Sequence, residues 1–176
     1  MKYPHRHSGA CIVAGFAECL HEDLEKAKAL VGEVPVIAVN DASSAIKALI
    51  LFSQHPECFQ TKRWIEKQRR FGNDFTVHAR GEGSVPWVDY WWPTKGGGGS
   101  SWHARKVAAF IGFDKVILCG CPLDLGPYVG GHNIGGFMHR PDVVDDLFDY
   151  VKNDKDWHTG AYSMSGRTRT LLGEPC

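Results

Sequence analysis

Several short stretches carry side chains suited to holding or transforming a small anionic molecule. Four glycines at 96–99 run directly into Ser100 and Ser101, at the head of an apolar segment with helical spacing. Glycine lets a backbone approach a ligand closely, and the free amides of a helix N-terminus favour an anion. With a ligand, Gly99, Ser100 and Ser101 bind a phosphate or carboxylate. Without one, the run is a flexible loop followed by a serine cap. It is not a Walker loop, because Lys95 precedes the glycines instead of following them. Asn40 and Asp41 close an apolar run, where they bond a base or ribose or simply form a turn. His55 and Glu57 flank Pro56 as an acid–base pair or as a helix-capping cluster. His132 sits in the glycine-rich stretch 129–133, either as a proton-exchanging imidazole or as a solvated one. Asp124 suits a sugar hydroxyl or a turn cap. Arg167, with Arg169, suits a phosphate or an ordinary solvated surface.

These groups need a scaffold, and the apolar pattern supplies one. Short apolar runs at 11–15, 34–39, 49–53, 75–78 and 116–119 read as strands. The segment 21–31 reads as a helix, with Glu22, Asp23 and Glu25 in the first turn where the helix dipole favours acids. Further helices are expected over 43–48, from Pro56 to Phe71, from Ser100 onward, over 143–151, and over 163–172 with Ser163 or Ser165 as cap. The strands are apolar throughout, with no in–out alternation, and they interleave with helices. That order predicts an α/β fold: one three-layer, Rossmann-like domain over 1–176, with a parallel sheet of about five strands covered on both faces. Ligands of such sheets bind beyond the carboxyl ends of the strands. Gly15, Asn40, Asp41, His55 and Asp124 all follow strand ends in this reading. The stretch 81–100, with Trp87, Tyr90, Trp91 and Trp92, reads as a loop. Its aromatics pack on the sheet edge, meet another copy in a homo-oligomer, or stack on a base or sugar.

Composition narrows the partners. The chain has 176 residues, 43% of them apolar, which is enough for one sizeable core. Twenty basic residues balance 20 acidic ones, so no general grip on nucleic acid or an anionic membrane is expected. The local excess of basic residues over 60–80 reads as a solvated helix face. No apolar run approaches the length of a membrane span, and the polar start has no signal-peptide core. A cytoplasmic, reducing compartment follows as the expectation. The six cysteines, none in a CxxC pair, are then free thiols, and no spacing marks a zinc set. Cys119 and Cys121, two apart, would point the same way on a strand.

The run Gly99-Ser100-Ser101, Ala104 and Ala108, then residues 112–120, resembles a segment of the bacterial sialyltransferases that use CMP-sialic acid. It is also similar to hydroxymethylpterin pyrophosphokinase-like and motility-accessory proteins. The stretch 35–39 followed by Asn40 resembles their second strand, whose terminal Asn meets the nucleotide. Small phage and prophage proteins look similar throughout, including His55-Pro56-Glu57 and Ser163-Met164-Ser165-Gly166. The resemblance implies a Rossmann-like fold, a nucleotide or nucleotide-sugar ligand and no required metal or other cofactor. It implies Asn40, Ser100 and Ser101 as nucleotide contacts, and His132, by order alone, as the counterpart of the family's catalytic histidine. The chain departs from the pattern at Gly15-Phe16-Ala17-Glu18, where the family has a Gly-rich loop with Pro-Ser, and at Trp102. Three functions are therefore expected candidates. One is a metal-independent transferase on a nucleotide-activated donor, with His132 or His55 as acid or base. Another is a non-catalytic phage protein that sequesters a signalling nucleotide. The third is a nucleotide hydrolase or pyrophosphokinase, which needs carboxylates to hold Mg²⁺.

Overall fold

A computed structural model describes residues 3–4, 6–57, 59–131 and 140–176. Chain order is β1 (Ala10–Ala14), α1 (Leu20–Val31), β2 (Val36–Val39), a 3₁₀ turn (Asn40–Ser44) and β3 (Ile50–Ser53). Then come α2 (Phe59–Gln68), β4 (Thr76–Arg80), β5 (Tyr90–Trp92) and α3 (Gly99–Phe110). The chain ends with β6 (Lys115–Cys119), α4 (Pro141–Asn153), β7 (Ala161–Ser163) and α5 (Gly166–Leu172). The sheet order is β5-β4-β3-β2-β1-β6-β7, and every neighbouring pair is parallel.

Alternation along the strands divides the interior into two layers. Cys11, Val13, Ile37, Val39, Phe52 and Leu118 join one core cluster with Trp102 and Val107 of α3, Ile111 just after it, and Val151 of α4. Ile12, Ala14, Ala38, Leu51, Ile117 and Cys119 join the other, with Leu20, Leu24 and Ala27 of α1 and Ile65 of α2. Both faces of the strands are thus buried, which is why their sequences are apolar throughout. The expected α/β architecture with a parallel sheet covered by helices is what the chain adopts.

Among the described residues the strand number is seven, not five. The two extra strands, Tyr90–Trp92 and Ala161–Ser163, are three residues each and lie at opposite edges. A three-residue strand is too short to show a period. The first lies in the stretch expected to be a loop, and the second where the last helix was expected to begin. The helix expected over 43–48 is instead the 3₁₀ turn. There the Ser43 and Ser44 hydroxyls donate to the carbonyls of Asn40 and Asp41. Such local side-chain bonds compete with α-helical pairing. The Trp-rich stretch packs on the sheet edge: Trp92 Nε1 donates to His78 Nδ1 at 3.1 Å and its ring stacks on Phe110. Trp87 Nε1 donates to the Pro56 carbonyl. Of the basic residues over 60–80, Lys62, Arg63, Arg69 and Arg70 are exposed, as the solvated-face reading expects, whereas Lys67 and Arg80 are half-buried and Arg80 donates to the Thr94 carbonyl.

Helix α3 is fixed at its centre by a buried polar knot. Lys106 Nζ lies 2.6 Å from Asp154 Oδ2, and Trp102 Nε1 donates to the same oxygen at 2.7 Å. Burial opposes charge on Asp154, but the bonds from Lys106 and Trp102 outweigh it and hold the carboxyl below its ordinary range. The knot ties α3 to the end of α4 and so sets where the α3 N-terminus points.

Candidate functional site

Strands β1 and β6 lie side by side, and the chain leaves them in opposite directions across the sheet. This is the topological switch point, where open α/β sheets form their crevice. The Gly15 N–H donates to the Cys119 carbonyl at 2.8 Å and the Ala17 N–H to the Gly120 carbonyl at 3.1 Å. The two strand ends are so close that a Cβ on Gly15 would lie 2.5 Å from the Gly120 oxygen and 2.7 Å from Cys121 Sγ. The loop after β6 is held from below by Asp23 of α1. Its buried carboxylate accepts from the Gly120 N–H at 2.8 Å and from the Ser165 hydroxyl at 2.6 Å. Gly15→Ala should therefore push the strand ends apart. Overpacking of this kind destabilises by about 1–3 kcal/mol. At roughly 2–4 °C per kcal/mol for a domain of this size, melting should fall by about 2–12 °C. An unchanged melting curve would show that the crevice does not depend on this close approach.

Above the switch point lies a cavity of about 490 Å³. That volume is within the range of small-molecule sites. Gly15, Asn40, Asp41, His55, Gly99, Ser100 and Ser101 all line it. These seven come from the residue just after β1, the turn after β2, the loop after β3, and α3. The α3 N-terminus opens onto the cavity. Its cap is Gly98, in the left-handed conformation at φ 86°, and it has no side-chain cap bond. The serines stand inside the helix, not at the cap, and no acid occupies the first turn. The first N–H groups of a helix have no intrahelical acceptor, so this end presents donors with the positive end of the dipole.

A short relay crosses the cavity floor. Asn40, in the left-handed region at φ 51°, donates from Nδ2 to Ser100 Oγ at 3.3 Å. Asn tolerates that conformation better than most residues. Ser100 Oγ donates in turn to Gln54 Oε1 at 2.9 Å. Asp41 Oδ1 accepts the Trp64 indole N–H at 2.7 Å. Phe16 and Tyr128 stack with centroids 6.2 Å apart and line the same space. Burial, with Asp41 adding to it, raises the Tyr128 hydroxyl above its ordinary value, so it stays protonated. Cys121 also lines the cavity; burial outweighs its bond from Ser101 and pushes the thiol up to about 12. Cys119 and Cys121 belong to opposite core layers, contrary to the expected common direction. The strand ends at Cys119, and Gly120 turns the chain with φ 64°. Cys11, Cys19, Cys119, Cys121 and Cys176 are all free.

His55 stands at the rim with an exposed ring, Nδ1 3.5 Å from Glu57 Oε1. The pair is thus together in space. Asp124 does not line the cavity; a Cβ on Gly166 would lie 2.3 Å from its Oδ2, which places the carboxylate against the start of α5. Arg167 does not line it either. It pairs with Asp145 at 2.6 Å, its guanidinium 4.0 Å from the Phe148 ring centroid. His132 lies outside the described residues. Ser165 stands at the N-cap of α5, but its hydroxyl is spent on Asp23.

Gln54, Trp64, Tyr128, Phe16 and Thr168 also line the cavity and were not singled out in the sequence. Gln54 was within reach, since it directly follows a strand. Trp64 reads as an ordinary core residue of α2, and nothing local says that its N–H holds Asp41. Among the described residues, no group of three or more His, Cys, Asp or Glu side chains converges to hold a metal ion. Among them too, no helix is long and apolar enough to cross a membrane. No family model, curated protein or solved structure matches the chain.

Proposed function

We propose that the cavity binds a nucleotide or nucleotide sugar, and that the protein is a glycosyltransferase-like transferase on such an activated donor. One observation carries the reading. A single cavity at the switch point gathers a helix N-terminus, hydrogen-bonding side chains from two further strand ends, and aromatic walls. Amides at the α3 N-terminus suit the phosphate. Asn40, Asp41 and Gln54 suit the sugar and base. His55, beside Glu57 at the rim, is the histidine among the described lining residues and suits proton exchange with an acceptor entering from solvent.

The test is to identify nucleotides that co-purify with the protein by mass spectrometry, then to assay turnover of any hit with hydroxyl acceptors. Transfer that falls in His55→Ala while nucleotide affinity holds supports the transferase. Tight binding without turnover would make the protein a nucleotide-sequestering one. Failure of every nucleotide to bind would end both readings.

A further inference from the structure

We infer that the Asp41 end of the cavity selects a guanine base, reading its two adjacent N–H donors with one carboxylate. The inference rests on the nucleotide-binding reading above and deepens it. Asp41 is held from two sides: its carbonyl accepts the Ser44 hydroxyl at 2.8 Å, and its Oδ1 accepts the Trp64 indole at 2.7 Å. Trp64 is itself buried in the α2 layer, so the carboxylate has little freedom to turn away. Among the described residues Asp41 makes no ion pair. The described residues lining the cavity include no Lys or Arg. Asp41 thus lines the cavity with Oδ1 bonded to Trp64 and, among the described residues, no cation paired with it. A half-buried carboxylate is costly unless it receives hydrogen bonds. An ionised carboxylate can only accept. The ligand must bring donors to it.

The surroundings say which donors. Trp64 bonds Asp41, Tyr128 senses its charge, and Phe16 stacks on Tyr128. These aromatic side chains, all lining the same cavity as Asp41, suit a planar ring better than a bare sugar. Among the common bases, guanine alone sets two N–H donors side by side on one edge, matching the two oxygens of a carboxylate. Adenine and cytosine place an acceptor nitrogen beside their amino group. Uracil places its N–H between two carbonyls. Each of these three would set a lone pair against the charge.

The experiment is calorimetry with guanosine, inosine, 2′-deoxyguanosine and cytidine 5′-monophosphates on the full chain. Inosine monophosphate lacks only the 2-amino donor. A hydrogen bond to a charged group is worth enough to give roughly a 10–100-fold preference for guanosine over inosine monophosphate. The deoxy compound should bind within a few-fold of guanosine monophosphate. Asp41→Asn should lose the preference and gain xanthosine monophosphate, whose N–H and adjacent carbonyl complement an amide. The Asn oxygen can still accept from Trp64, so the fold should hold, and a melting curve checks it. If the variant does not fold, the base series on the unsubstituted chain decides alone. Equal affinity for guanosine, inosine and cytidine monophosphates overturns the inference and leaves the nucleotide reading intact. A deoxy compound as weak as inosine monophosphate overturns it in favour of ribose recognition. Failure of all four to bind overturns the inference, and the survey of co-purifying nucleotides then decides the nucleotide reading separately.

Discussion

A nucleotide titrated into a Ser101→Glu variant should bind more than about a hundredfold more weakly than to the unsubstituted chain. Ser101 is the third residue of α3 and lines the cavity. A glutamate there puts a carboxylate beside the amides proposed to hold the phosphate. Juxtaposed like charges in a recognition site cost several kcal/mol. At 1.4 kcal/mol per decade, that exceeds a hundredfold. The same glutamate is favourable for the isolated helix, because an acid in the first turn complements the dipole by about 0.3–1 kcal/mol. Loss of binding with retained or raised melting temperature would therefore separate the electrostatic effect from unfolding. Ser101→Gln, similar in size but uncharged, should keep most of the affinity. Calorimetry giving equal affinity for the Glu variant and the unsubstituted chain would remove α3 from the binding site.

The parts of this molecule that were legible in the sequence are those with a long-range physical signature. Two-sided burial wrote itself into 36–39, 50–52 and 116–119 as unbroken apolar runs, and the strand–helix order then dictated a parallel sheet. Strand-end logic brought Gly15, Asn40, Asp41, His55, Gly99, Ser100 and Ser101 to one cavity although they are spread over 87 positions, from 15 to 101. The same logic placed Asp124 there too, but its carboxylate lies against the start of α5; Arg167, expected to meet a phosphate or solvent, pairs with Asp145 and does not line the cavity. What stayed hidden depends on pairings no period records. The three-residue edge strands exist because a neighbour offers a free edge. Asp41 faces the cavity because Trp64, 23 positions later, donates to it. A one-residue turn at Gly120 is enough to send Cys119 and Cys121 into different layers.

Lowering the pH from 6.5 to 4.5 should destabilise the fold steeply, through two buried histidines. His78 is fully buried, with Nε2 3.0 Å from Thr76 Oγ1 and Nδ1 accepting from the Trp92 indole. The indole donor fixes Nδ1 as the unprotonated nitrogen. A proton added there would meet another donor in a site closed to solvent. Burial, then the charge of His7, pushes His78 down to about 3. His103 is equally buried on α3, with Nδ1 2.9 Å from Thr94 Oγ1 and Nε2 unpartnered among the described residues. Burial first, then the charges of Arg80 and Lys106, push it down to about 4. Both values lie below the ordinary ~6.5 of an unfolded histidine. The unfolded chain thus binds more protons in this window. The histidines' contribution is complete above about pH 6.5 and is lost as pH falls toward their folded values. Each loses up to about 1.4 kcal/mol per pH unit, so the pair loses on the order of 5 kcal/mol by pH ~4.5. That is comparable to the whole stability of many domains, about 5–15 kcal/mol. Asp154, held below the ordinary carboxylate range, loses its contribution only at lower pH. Urea unfolding at pH 7.0, 6.0, 5.0 and 4.5 measures the slope directly. His78→Gln and His103→Gln keep a polar side chain that does not titrate, so each should remove about half of the slope, whatever it does to stability at pH 7. A slope that persists unchanged in the double variant would assign the acid sensitivity to other groups.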